Sequence, residues 1–237
     1  MQKNPKRLHK NVVDAIGYTP MILLNKLPAS EQVKCKIYAK CEFLNPGGSI
    51  KDRIGRRMVL EAKKQGLIKP GQKVIESTSG NTGIGVALAC QQIGHKCVIT
   101  IPDKMSKEKI NQLRALGCEI QICDTDLGHD DPGSYSYEAH RRAEEEDMYY
   151  INQYDNKDNW LAHYHSIAPE IYEQLDGKID FIFICAGTGG TVTGVGKYLK
   201  EKNKEIKVIG VDVEGSILAR PESMNTGVSV YKVEGVG

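Results

Sequence analysis

One lysine in the sequence stands where a nucleophile would be placed. Lys51 follows the Pro46-Gly47-Gly48 turn in the stretch NPGGSIKDRIG, residues 45–55, and a helical pattern begins beside it. A positive charge in the first turn of a helix opposes the helix dipole and loses roughly 0.3 kcal/mol. If burial or neighbouring cations lower its pKa, the amine becomes a nucleophile. The alternative is an ordinary solvated lysine.

Two other segments have backbone suited to an anion. In VIESTSGNTGIGVA, residues 74–87, a strand leads through the TSGNT loop (residues 78–82) into a helix expected to begin near Thr82. In ICAGTGGTVTG, residues 184–194, a strand leads through the GTGGT loop (residues 187–191) into a helix expected from about Val192. Free N–H groups and the positive end of a helix dipole bind anions, and the loop hydroxyls add donors. Each segment alone is equally consistent with a tight turn without a ligand.

The GTGGT loop matches neither common nucleotide fingerprint. The third position after Gly189 is Val192, which breaks G-x-G-x-x-G, and Val195 stands where a Walker A motif has lysine. A phosphate in a different setting is indicated. A reactive lysine, a phosphate loop and a second anion turn are together what pyridoxal phosphate and an amino-acid carboxylate require.

The elements that position these residues alternate between apolar strands and helical patterns, which predicts an α/β fold with a largely parallel sheet. Strands are expected at residues 36–42, 73–77, 96–101, 118–123, 180–185 and 207–213. A helix over 52–65 buries Ile54, Met58 and Ala62 and turns its basic side chains to its other faces: Arg53, Arg56, Arg57, Lys63 and Lys64. Ser106 caps a further helix.

Composition excludes several classes of function. The 237 residues carry 32 Lys and Arg against 30 Asp and Glu, a net charge of +2, so no nucleic-acid partner is expected. No apolar run of membrane-spanning length and no signal-peptide pattern is present, so no membrane partner and a cytoplasmic location are expected. The 7 cysteines include no C-x-x-C pair, and buried reduced thiols are predicted, with Cys97, Cys123 and Cys185 inside strand-like runs.

Three motifs together resemble one family. PGGSIKDR, TSGNTGIG and GTGGTVTG match, in order and spacing, the fold-type II pyridoxal-phosphate enzymes of the cysteine synthase and cystathionine β-synthase family. The resemblance runs from about Gly17 onward. NQYDNKDNWLAHY and GVDVEGSILA look more like the cystathionine β-synthase branch.

The resemblance assigns roles to individual residues. Lys51 would hold the cofactor covalently and act as the catalytic acid and base, and Asn81 would hydrogen-bond the ring 3′-oxygen. The cofactor phosphate would be held by Gly187, Thr188, Gly189, Gly190 and Thr191. The substrate carboxylate would be held by Thr78, Ser79, Asn81, Thr82 and Gln153.

The resemblance also implies a fold and an activity. The fold is tryptophan synthase β-like, with two three-layer α/β/α domains: a loose arm at 1–10, a large domain from 11–44 and 153–237, and a smaller mobile domain at 45–152. The activity is condensation of L-serine with L-homocysteine to cystathionine in transsulfuration, with hydrogen sulfide as a further product. Cysteine synthesis from O-acetylserine and sulfide, or an inactive paralogue, is the alternative. A homodimer is expected.

The sequence also departs from the family. It ends at VYKVEGVG, before the glycine-rich turn that faces the pyridine nitrogen, so a missing C-terminal part is expected. The first cysteine, Cys35, is expected to be already in a strand, so no haem is predicted. His163 and His165 lack a third ligand at metal-binding spacing, which favours packing or hydrogen bonding over a metal site. Trp160 is placed in a loop before them.

Overall fold

A computed structural model describes residues 8–78, 80–125, 127 and 131–213. The strands are β1 Met21–Leu24, β2 Ile37–Lys40, β3 Val74–Ser77, β4 Cys97–Pro102, β5 Glu119–Cys123, β6 Tyr149–Tyr150, β7 Phe181–Cys185 and β8 Lys207–Val211. The helices are α1 Lys26–Ser30, α2 Lys51–Lys64, α3 Asn81–Gln92, α4 Lys107–Ala115, α5 Tyr135–Glu145, α6 Lys157–His165, α7 Ile167–Gln174 and α8 Gly190–Lys202, with short 3₁₀ turns at Val13–Ala15 and Glu42–Leu44.

A four-stranded parallel sheet forms the middle of the described chain. Its order is β5-β4-β3-β6, and β3 and β4 are buried along their whole length. Ile99 and Ile101 join the apolar faces of α2 and α3 in the largest core, while Ile75 and Val98 meet α5 on the other face. Helices thus cover both faces, as parallel strands require. The sequence did not predict β6, whose two residues are too few for a periodic pattern.

Two smaller sheets use the outer parts of the chain. β1 and β2 pair antiparallel, and β7 and β8 pair parallel. α7 and α8 pack against β7 and β8 around Ile184, Val195 and Leu199. The prediction for Trp160 was wrong: it lies inside α6, because the Asn156 side chain accepts a hydrogen bond from the Asp158 N–H at 2.9 Å and starts the helix there.

The cysteine prediction was correct in part. No disulfide forms among the described residues, and Cys41, Cys90, Cys97, Cys118 and Cys123 are buried. Cys35 and Cys185 are exposed, which contradicts the prediction for Cys185. Cys185 shares a face of β7 with Phe181 and Phe183, which are 52% and 66% exposed, because the described helices pack only on the opposite face.

Glycines let α2 and α3 approach closely where both helices begin. A Cβ at Gly55 would clash with the backbone of Gly85 and Val86, and one at Gly85 would lie 2.7 Å from the Lys51 carbonyl oxygen. The first turns of α3, which follow the TSGNT loop, are therefore held against the backbone of Lys51. Within the part of the chain that the structure describes, no helix is long and apolar enough to cross a membrane.

Candidate functional site

Lys51 is the first residue of α2, which begins one residue before the predicted start at residue 52. Its N–H donates to Ser49 Oγ at 3.1 Å, and no side chain caps the helix. Burial lowers the pKa of the Lys51 amine, since desolvation disfavours the charged form. A lowered pKa favours the neutral, nucleophilic form of the amine.

The TSGNT loop presents free donors beside Lys51. Thr78 Oγ1 accepts from the Gly80 N–H at 3.0 Å, and Gly80 adopts a φ of 127° that allows the sharp entry into α3. In the described residues, the N–H groups of Asn81, Thr82 and Gly83 have no protein acceptor. α3 begins at Asn81, one residue earlier than predicted. Ser79 lies outside the described residues.

The GTGGT loop is a second set of donors, at the start of α8. The helix begins at Gly190, two residues before the prediction, with Gly189 in the left-handed region at φ 80°. The N–H groups of residues 187–191 donate to no acceptor among the described residues. A Cβ at Gly190 would clash with the Asn159 side chain, so only glycine fits at this position of the loop.

A hydrogen-bond chain joins the two loops. Thr82 Oγ1 donates to Gln153 Oε1 at 2.7 Å, and Gln153 Nε2 donates to the Ser77 carbonyl at 3.0 Å. Asn159 Nδ2 then donates both to the Gln153 carbonyl at 2.7 Å and to Thr188 Oγ1 at 3.0 Å. Thr82, Gln153 and Thr188, predicted from separate motifs, are thus brought together, and Asn159 is the link that the sequence analysis missed.

His163 supports the same loop from behind. It is fully buried, and its Nε2 lies 3.2 Å from Thr191 Oγ1. Burial, helped by the nearby Lys51 and Arg53, lowers the pKa of His163 to about 3, so the ring is neutral. The predicted hydrogen-bonding role of this histidine is confirmed. No group of three or more metal-ligating side chains occurs among the described residues.

Arg53 lies away from the apolar stripe of α2, as the helical pattern predicts, but its side chain is buried. It is 3% exposed and binds two carboxylates, Glu42 at 2.7 Å and Glu170 at 2.7 Å. Lys40 also contacts Glu170 at 2.8 Å. Arg53 is buried because Glu42 and Glu170 contact it on this side of α2. Both carboxylates come from segments remote in sequence, so the periodicity of the helix does not reveal them.

Glu76 is a second buried charge-bearing residue that the sequence analysis did not single out. It ends the apolar part of β3 just before the TSGNT loop, and neither carboxyl oxygen has a hydrogen-bond partner within the described residues. Burial raises the pKa of Glu76 to about 8, and the facing Gln153 and Asn152 groups offset this only in part. Glu76 is therefore a neutral acid at pH 7.

An open cavity of 220 Å³ borders the GTGGT loop. It is lined by Thr188, Gly189, Gly190 and Thr193 of the loop and α8, and on the other side by Tyr154, Asp155, Asn156, Lys157, Asn159 and Trp160. A second cavity, of 270 Å³, lies between α2 and α6, and it is lined by none of the residues predicted to hold cofactor or substrate.

A family model for pyridoxal-phosphate dependent enzymes matches residues 12–234. The chain belongs to this family. It is 48% identical over 239 residues to the cystathionine beta-synthase of Oryctolagus cuniculus, covering all of this chain but 43% of that relative. It is 40% identical over 222 residues to a cysteine synthase of Dictyostelium discoideum, covering 93% of this chain and 57% of the relative.

Solved structures show the same fold. The O-acetylserine dependent cystathionine beta-synthase from Helicobacter pylori superposes with a TM-score of 0.87 at 36% identity, covering 98% of this chain and 74% of that one. The predicted fold-type II architecture is confirmed. The chain spans less than half of its rabbit relative, and the division into a large and a mobile smaller domain stays a prediction.

The residues of the site fit pyridoxal phosphate. The GTGGT loop offers five N–H groups without an acceptor in the described residues, which suits a phosphate. The half-buried Lys51, whose pKa is lowered, suits an aldehyde, and the α3 amino terminus suits a carboxylate.

Proposed function

We propose that the protein is a pyridoxal-phosphate dependent β-replacing enzyme that condenses L-serine with L-homocysteine to L-cystathionine. The observation that carries the proposal is a half-buried lysine with a lowered pKa, whose backbone packs against the helix that follows one anion loop, while a hydrogen-bond chain through Gln153 and Asn159 joins that loop to the other. Hydrogen sulfide release when cysteine takes the place of serine, so that sulfide and not water leaves from Cβ, is part of the same proposal.

In this proposal, Lys51 holds the cofactor and then acts as base. When bound, the cofactor supplies the electron sink that stabilises a carbanion at the substrate Cα. Lys51 would take the α-proton, and burial, which lowers the pKa of its amine, favours the unprotonated form that this step needs. The amine would pass that proton to the serine hydroxyl, which leaves as water. The homocysteine thiol would then lose its proton to the amine as its sulfur bonds to Cβ, and the amine would return that proton to Cα.

The loops orient the two ligands. Residues 187–191 hold the phosphate, and Asn81 holds the ring 3′-oxygen. The substrate carboxylate lies on Thr78, Ser79, Asn81, Thr82 and Gln153. Because Gln153 gives one N–H of its Nε2 to the Ser77 carbonyl, its second N–H is available to that carboxylate. Closure of the 45–152 domain over the carboxylate excludes water.

Cysteine synthesis is the second candidate. The 40% identical relative is a cysteine synthase, and the Helicobacter pylori structure is named as dependent on O-acetylserine. The two candidates share Lys51 and both loops, and they differ in the leaving group and in the thiol.

Product analysis tests the proposal. The purified protein with added cofactor is offered serine plus homocysteine, and separately O-acetylserine plus sulfide, and the products are identified by mass spectrometry. Cystathionine from the first pair supports the proposal. Cysteine from the second pair alone contradicts it in favour of the second candidate, and no product from either pair contradicts both.

We further propose a homodimer that acts in the cytoplasm on small amino acids, without haem, metal, nucleic acid or membrane partners. The 48% identity to a curated relative across this whole chain supports assignment to the same branch of sulfur metabolism.

A further inference from the structure

Two buried side chains of α6 stand directly behind the GTGGT loop. Asn159 and His163 are four residues apart, which places them on one face of the helix. They are 4% and 0% exposed, and each contacts a different threonine of the loop. Each also has one atom without a partner among the described residues, Asn159 Oδ1 and His163 Nδ1.

The contacts of Asn159 fix which way its hydrogens point. Nδ2 has two hydrogens, and its two neighbours at 2.7 and 3.0 Å are the Gln153 carbonyl and Thr188 Oγ1. Reversal of the amide would set Oδ1 against the Gln153 carbonyl, an acceptor against an acceptor. Thr188 therefore accepts from Asn159, and its own hydroxyl hydrogen is left to point elsewhere.

His163 likewise donates a hydrogen bond to its threonine, Thr191. The ring is neutral and carries one N–H, because burial and the nearby Lys51 and Arg53 oppose a second proton. If the hydrogen were on Nδ1, an N–H group would be buried without an acceptor, which proteins avoid more strictly than an unpaired acceptor. The hydrogen thus belongs on Nε2, where it is donated to Thr191 Oγ1.

We propose that Asn159 and His163 are positioning residues that donate to Thr188 and Thr191 from behind and so turn both hydroxyl hydrogens toward the bound phosphate. This inference rests on the proposed function, in which residues 187–191 hold the cofactor phosphate. Without the two donors, each threonine hydroxyl is free to donate to the protein instead. The loop then loses two of its hydrogen bonds to a dianion, bonds of the strong, charge-assisted kind.

A double-mutant cycle on cofactor binding tests the proposal. The dissociation constant of pyridoxal phosphate is measured by fluorescence titration of the cofactor-free protein, and the phosphorus-31 chemical shift reports the phosphate environment. Asn159→Ala is expected to weaken binding about tenfold. In a Thr188→Val background the same change is expected to have less than about a twofold effect, because the hydroxyl that it orients is gone.

Two further variants separate donor direction from packing. Asn159→Asp keeps the shape of the side chain but presents an acceptor to Thr188. This variant is therefore expected to bind pyridoxal phosphate more weakly than Asn159→Ala and to shift the phosphorus-31 signal. His163→Gln, which keeps an N–H donor, is expected to retain more affinity than His163→Phe. Tyr164→Phe, which removes a hydroxyl contact between α6 and Glu201 on an exposed side of the helix, is the matched control and leaves binding unchanged.

The outcomes distinguish this inference from the function on which it rests. If the unaltered protein binds no pyridoxal phosphate, the proposed function fails and the inference fails with it. If the protein binds but Asn159→Ala is equally harmful with and without the Thr188 hydroxyl, the positioning role is contradicted and the function stands. The positioning role is likewise contradicted if Asn159→Asp binds as well as Asn159→Ala. Thermal unfolding of each cofactor-free variant checks that every protein used in the binding measurements is folded.

Discussion

At the scale of single residues, burial shifts the pKa of three groups toward the uncharged form. It lowers the pKa of Lys51, lowers that of His163 to about 3 and raises that of Glu76 to about 8. The uncharged form is the one that costs least in an apolar environment. Burial also raises the pKa of Tyr150 and Tyr154, and the nearby Glu76 carboxyl adds to the rise at both.

Glu76 predicts a pH dependence of stability. Its pKa is raised on folding, so the folded state binds the extra proton, and stability falls as pH rises from about 4.5 to about 8. We expect Glu76→Gln to remove this fall. At pH 8 its free energy of unfolding should exceed that of the unaltered protein by roughly 4 kcal/mol, and at pH 4 the two should converge. Urea denaturation at both pH values measures it, and parallel curves for the two proteins would contradict the assignment.

The sequence identified the residues that carry local signatures and missed those that depend on distant partners. Lys51 and the two loops stand in short motifs whose turns and helix starts are readable. Asn159 has no such signature, because its partner Thr188 is 29 positions away. The burial of Arg53 was missed for the same reason, since Glu170 is 117 positions from it.

At the scale of elements, the close approach of α2 and α3 fixes the position of Lys51. We expect Gly85→Ala to destabilise the fold by roughly 2 kcal/mol, because its Cβ would press on the Lys51 carbonyl and the Asp52 Cα. Cofactor affinity should fall as well, because Lys51 is displaced. Denaturant unfolding and cofactor titration measure the two effects.

Gly196→Ala is the matched control for that prediction. It also lies within a helix, but its Cβ would meet Val208 at an ordinary contact distance of 3.4 Å. Alanine favours the helix over glycine by about 1 kcal/mol, so this variant should be as stable as the unaltered protein or more stable. If both changes destabilise the protein equally, the close approach of α2 and α3 does not explain the effect of Gly85→Ala, and the prediction is contradicted.

Element prediction from the sequence worked where a period is visible. The six predicted strands match β2, β3, β4, β5, β7 and β8 to within a few residues. β1 and β6 were missed because four and two residues give no clear alternation. α6 was missed because its start depends on one capping side chain, Asn156, within a polar stretch.

At the scale of the whole molecule, one buried ion network ties segments from both ends of the described chain to α2. Arg53 bridges Glu42 and Glu170, and Lys40 joins Glu170 to the Thr19 carbonyl at 2.7 Å. Burial alone would raise the pKa of Glu170, but hydrogen bonds from Arg53 and Lys40 lower it to about 2. The network therefore stabilises the tertiary structure only while its carboxylates are ionised.

This network predicts a loss of stability in acid. The folded pKa of Glu170 lies below its unfolded value, so its contribution is present above pH 4.5 and disappears as pH falls toward 2. We expect the unaltered protein to lose on the order of 2 kcal/mol over this range from Glu170. Glu170→Gln should be less stable at pH 7 and show a flatter decline below pH 4.5, measured by urea denaturation. The same acid decline in both proteins would contradict the network's role.

The proposed function depends above all on a covalent bond between Lys51 and pyridoxal phosphate. Incubation with the cofactor, reduction with sodium borohydride, proteolysis and peptide mass spectrometry locate the modified amine directly. We predict one dominant modified peptide, carrying the cofactor on Lys51, and its loss in Lys51→Ala but not in Lys64→Ala, an exposed lysine of the same helix. Modification spread over surface lysines, or unchanged in Lys51→Ala, would contradict the proposed role of Lys51.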